Sequence, residues 1–101
     1  MNQDEKFKER KEFLLKRPTD SDTKLLDNYF VDYDDCIALL ESWYWEGISA
    51  KSLIFASEDY EKGLVEPFLK KFFEDADLTD KRTTEKKSGD YYFLNFDFQT
   101  E

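Results

Sequence analysis

The chain contains no histidine, one cysteine, two prolines and three glycines, and each scarcity removes a class of function. Without histidine the commonest general acid or base and the commonest nitrogen ligand are missing, which excludes histidine-based triads and ordinary zinc sites. Gly47, Gly63 and Gly89 lie too far apart to build a phosphate-cradling loop or a dinucleotide-binding turn. A lone Cys36 cannot form an internal disulfide. It is expected to be a buried structural thiol of a protein kept in a reducing compartment. Apolar runs are only a few residues long, against the ~20 that span a bilayer. The first seventeen residues are too charged to hold a signal-peptide core, so a cytoplasmic location is expected.

Aromatic residues and acids are abundant instead: ten Phe, six Tyr and two Trp in 101 residues, with 24 acidic against 15 basic side chains. Each buried ring removes roughly 150 to 250 Å² from water, so a dense aromatic core can offset the ordering entropy of a chain that is 39% charged. The length suits one domain, residues 1–101. Net charge is −9, and it is unevenly spread: residues 18–46 hold eight acids and one base, whereas 1–17 and 81–87 are net basic.

Periodicity predicts an α+β fold, with about four helical segments packed on a small, mostly antiparallel sheet that ends in a C-terminal hairpin. Residues 4–16 place Phe7, Phe13, Leu14 and Leu15 on a narrow face of a charged helix. From 21 to 46, Leu26, Phe30, Tyr33, Ile37, Leu40 and Tyr44 recur at steps of four and three, predicting helices over about 21–28 and 33–46, or one bent helix. Residues 52–57 (SLIFAS) read as a buried strand. A further helix carries Leu64, Phe68, Leu69, Phe72, Phe73 and Ala76, with Pro67 confined to its first turn. Over 91–99, Tyr92, Leu94, Phe96 and Phe98 alternate as the core face of a strand. Lys87, Ser88, Gly89 and Asp90 supply turn chemistry behind a polar partner strand over 80–86. The aromatic second face of the last strand, with Tyr91 and Phe93, calls for a helix on each side of the sheet or for another chain.

No residue is assigned a catalytic, cofactor-binding or metal-binding role. Asp75, Asp77 and Thr79 begin like a calcium loop, but Asp80 replaces its glycine and Lys86 its closing glutamate. Asp32, Asp34 and Asp35 are read as cap and first-turn acids of the second predicted helix. On that helix Asp34, Ala38, Glu41 and Trp45 would share an outer face, setting a ring among carboxylates as a surface for a basic partner does. The expected partner-binding residues are therefore Asp27, Asp32, Asp34, Asp35, Glu41, Trp45 and Glu46.

In size and acidity the chain is similar to the small acidic proteins of phages and mobile elements that block nucleases, restriction or CRISPR effectors by occupying their DNA sites. That similarity, one of composition and length, implies a non-enzymatic inhibitor of a basic, nucleic-acid-binding protein, a DNA mimic of the anti-CRISPR or anti-restriction kind. A toxin-immunity protein is the nearest alternative. Another is a winged-helix-like regulator using Lys81, Arg82, Lys86 and Lys87, although the overall charge opposes direct nucleic-acid binding. A third is an accessory subunit, and the protein itself is expected to be a monomer or a homodimer with no membrane contact.

Overall fold

The computed structural model describes residues 3–17, 24–45, 48–76 and 82–99. Helix α1 (Gln3–Leu15) is followed by strands β1 (Lys24–Tyr33), β2 (Cys36–Trp45) and β3 (Ile48–Ala56). Helices α2 (Ser57–Glu61) and α3 (Val65–Asp75) come next, then β4 (Arg82–Ser88) and β5 (Tyr91–Gln99). The five strands form one sheet in the order β1-β2-β3-β5-β4, with every neighbouring pair antiparallel. The α+β expectation holds, with three helices among the described residues rather than about four.

The main correction concerns residues 24–45, where the predicted helices over 21–28 and 33–46 give way to a hairpin. Tyr33 pairs with Cys36 across a two-residue turn, Asp34-Asp35. Asp34 has φ of 53°, the positive value that hairpin turns require at their first central position. The physical reason lies in burial on both faces of β2. Ile37 and Leu39 face one layer of the core and Ala38 and Leu40 the other, so the strand reads as a continuous apolar run instead of an alternation. The helical stripe drawn through Leu26 and Tyr44 also falls, since both side chains are exposed.

Alternation along the strands separates two cores. On one face, Cys36, Ala38, Leu40, Leu53, Phe55, Tyr92, Leu94 and Phe96 meet Val65, Phe68, Leu69, Phe72 and Phe73 of α3. These α3 residues recur at i, i+3, i+4, i+7 and i+8, a single stripe. Pro67 is the third residue of that helix, where an N–H would lack an intrahelical acceptor in any case. On the other face, Leu14 of α1 is completely buried against Ile37, Leu39 and Ile54, with Phe7, Phe13, Phe30, Tyr91 and Phe93 around it. The second aromatic face of β5 is thus covered by a helix, and Phe13 stacks on Tyr91 at 4.8 Å between centroids. The C-terminal hairpin is present: Ser88 pairs with Tyr91 across Gly89-Asp90, and Gly89 has φ of 60°.

Candidate protein-binding surface

The seven residues expected to meet a partner do not form one surface. Strand geometry sets Ala38 and Glu41 on opposite faces of the sheet, so the shared helical face proposed for Asp34, Ala38, Glu41 and Trp45 does not exist. Glu41 is withdrawn altogether: its side chain is 2% exposed and meets Arg17, itself 8% exposed, just beyond α1. Arg17 Nε donates to Glu41 Oε1 at 2.9 Å and Nη2 donates to Oε2, the bidentate fork that suits a guanidinium and a carboxylate. Burial pulls the Arg17 pKa below its usual value. Trp45 ends β2, while Glu46 lies outside the described residues.

The remaining four acids are gathered on β1 and its turn, the outer strand of the sheet. Asp27, Asp32, Asp34 and Asp35 are all exposed, and none of them caps a helix. Asp32 meets Lys11 of α1 at 3.8 Å, and Asp34 pairs with Lys71 of α3. Exposed pairs of this kind contribute about 0 to 1 kcal/mol and yield readily to a competing cation. Among the described residues, no ion pair or side-chain hydrogen bond engages Asp27 or Asp35. Next to these acids, Leu25, Leu26 and Tyr29 of β1 and Tyr44 of β2 are exposed, Leu26 and Tyr29 by 53% and 49%. Contact area and negative charge are therefore joined on the β1–β2 hairpin, by different rings from the Trp45 singled out in the sequence.

The turn end of this hairpin is tied to α3. Tyr33 donates its hydroxyl to Asp75 Oδ2 at 2.6 Å, linking the end of β1 to the last turn of α3. Burial, then the bond to Asp75, raises the Tyr33 pKa to about 12. A helical period hides the exposure of Leu25, Leu26 and Tyr29, because it sets Leu26 in the core. The signal that could have found them is Asp27-Asn28, two residues poorly suited to a helix interior.

Other chemistry-bearing groups lie outside the exposed face of the hairpin. Cys36 is buried, and burial, reinforced by the charge of Asp59, pushes its pKa to about 12, so it stays a thiol at neutral pH. A cleft of about 510 Å³ between α1 and the start of α2 mixes both charge signs, with Lys6, Arg10, Glu9, Glu58 and Asp90 on its walls. Behind it Arg10 reaches Asp59 at 3.4 Å and Glu58 at 3.5 Å, tying α1 to α2. Among the described residues no group of three His, Cys, Asp or Glu side chains comes together to hold a metal ion. Residues 77–81 of the calcium-like segment lie outside the described residues. No described helix is long and apolar enough to cross a membrane. Residues 24–45 are strands, so the helix-turn-helix that a winged-helix regulator needs is not built from them. No family model matches the chain, and neither a curated protein nor a solved structure does.

Proposed function

We propose that the protein is a non-enzymatic cytoplasmic inhibitor, which covers the nucleic-acid-binding surface of a basic protein with the β1–β2 hairpin. The observation that carries this reading is the joint exposure of Asp27, Asp32, Asp34 and Asp35 with Leu26 and Tyr29 on one outer strand and its turn. Carboxylates along the strand attract and orient a cationic surface, and the exposed apolar groups give the encounter its contact area. Net charge of −9 adds long-range steering of the same sign. Glu41 has no part in this surface, because its charge is consumed by Arg17.

A pull-down from the native host with a graded salt wash tests the reading. The captured partner is expected to be basic, to be released as salt rises, and to compete with duplex DNA or RNA for the protein. Reversing Asp27 and Asp35 together to lysine is expected to weaken capture at least tenfold while leaving the urea midpoint nearly unchanged, since neither acid has a described partner to lose. Undiminished capture by that variant, or capture indifferent to salt, would sink the proposal.

A further inference from the structure

The two outer strands of the sheet are protected very differently. Strand β4 carries Arg82, Lys86 and Lys87, is bulged between Arg82 and Thr84, and is tied to the helices by Arg82–Glu66 and Lys87–Glu61 pairs. Lysines and bulges are the usual means of keeping an open edge from pairing with another chain. Strand β1 has its one bulge between Leu25 and Asp27, and from Asp27 to Tyr33 its ladder with β2 is regular. That stretch contains no lysine, no proline and no glycine.

The direction of its free backbone groups follows from the turn. Tyr33 and Cys36 flank a two-residue turn and so form a hydrogen-bonded pair, and the antiparallel alternation makes Val31–Ala38 and Tyr29–Leu40 the next such pairs. The N–H and C=O groups of Asn28, Phe30 and Asp32 therefore point away from β2. Among the described residues no strand pairs with them. Asn28 and Asp32 are exposed, and Phe30 is half-buried beneath Lys11, whose ammonium lies 5.8 Å from its ring centre.

We infer that β1 is a strand-addition site, which takes an extended, basic segment of the partner as a sixth strand beside residues 27–33. The inference rests on the proposed inhibition of a basic protein and specifies how that protein is held. Main-chain bonds would supply affinity and alternate side chains specificity. Asp27 and Asp32 lie on opposite faces of the sheet, roughly 17 Å apart along the strand at ~3.4 Å per residue. The segment that fits carries two lysines or arginines five residues apart, on opposite faces, with an apolar residue beside Tyr29. A second copy of the chain fits poorly. It brings another net charge of −9, and Asp27, Asp32, Asp34 and Asp35 with it, to the same edge.

The probe is a synthetic peptide of about eight alternating valines and threonines with lysines five apart, titrated into the full-length protein and followed by amide chemical shifts. Binding is expected to move the Asn28, Phe30 and Asp32 amides downfield and to weaken with salt. N-methylation of alternate peptide residues, or the substitution Asn28→Pro, is expected to reduce affinity at least tenfold, because each removes outward-facing hydrogen bonds. Proline is tolerated at an edge position whose N–H faces solvent, and the methylated peptide gives the same answer on the unaltered protein. Equal binding by the methylated peptide, or no shift along β1, would overturn strand addition. The acidic-surface reading would then still stand on its pull-down. Sedimentation as a dimer that Asn28→Pro dissolves would overturn it too, by assigning the edge to a second copy.

Discussion

Asp59 shows how a single buried acid can leave a measurable trace in stability. Its side chain is 3% exposed and its Oδ2 has no hydrogen-bond partner, while Arg10 stands 3.4 Å from the other oxygen. Burial outweighs the nearby guanidinium, and the Asp59 pKa is raised above the ordinary 3.8. Between pH 3.8 and the higher native value, the native protein therefore holds more of this proton than the unfolded chain does. The stability this contributes is complete below pH 3.8 and is lost as pH rises through the higher native value. Subtracting the urea-unfolding free energy of Asp59→Asn from that of the native chain isolates the effect. The difference is expected to fall as pH rises from below 3.8 and then to level off. A difference that instead grows with pH would mean that the Arg10 pair dominates.

At the scale of elements, the two hairpin turns offer a matched test of backbone conformation. Gly89 and Asp34 both occupy the first central position of a two-residue turn, at φ of 60° and 53°. A Cβ at Gly89 would meet nothing within 4 Å, so any cost of Gly89→Ala is conformational, about 1 to 2 kcal/mol of destabilisation. Asp34→Gly is expected to act in the opposite direction by less than ~1 kcal/mol, since relief of strain is partly offset by the entropy of a glycine in the unfolded chain and by loss of the exposed pair with Lys71. Urea midpoints of the two variants check the pair of signs. Asp34 also explains why the first hairpin was illegible in the sequence while the second was legible. Gly89 advertises positive φ, but an Asp-Asp pair also resembles the acidic start of a helix.

Across the whole molecule, the sheet lies between α1 and α3, and the two cores are not equally redundant. The α3 layer is built from five buried side chains, whereas α1 contributes Leu14 as its one fully buried group among the described residues, with Phe7 and Phe13 beside it. A chain beginning at Pro18 would uncover Ile37, Leu39 and Ile54 and leave Glu41 without Arg17. Removing one partner of a buried pair costs about 3 to 5 kcal/mol, a large share of the ~5 to 15 that holds a domain together. Such a chain is expected to lose its cooperative thermal transition and to bind a hydrophobic dye, as followed by circular dichroism and dye fluorescence.

Legibility of the chain follows the same division. Residues 4–16 and 65–75 each bury one stripe against a single layer, and their helical period was readable. Residues 91–96 alternate between two aromatic faces, which announced both the strand and a helix on each side of the sheet. Residues 24–45 do not show their strands in sequence, because Ile37 to Leu40 are buried on both faces and no period of two survives in the middle of β2. The candidate site lies within this same stretch. Its acids on β1 follow from the acidic excess of residues 18–46 and from a helical face that the strand does not build; that same face brings in the buried Glu41 and leaves out Tyr29 and Leu26.

The buried Glu41–Arg17 pair also limits which hairpins the chain can form. A strand slipped by one residue turns every side chain to the other face. Glu41 would then enter the aromatic layer beneath α3, where the core offers a carboxylate no cation. Most of β2 is hydrophobic enough on both sides to tolerate such a slip. The single glutamate makes the misaligned hairpin costly, and Arg17, just beyond α1, meets its carboxylate only in the native alignment.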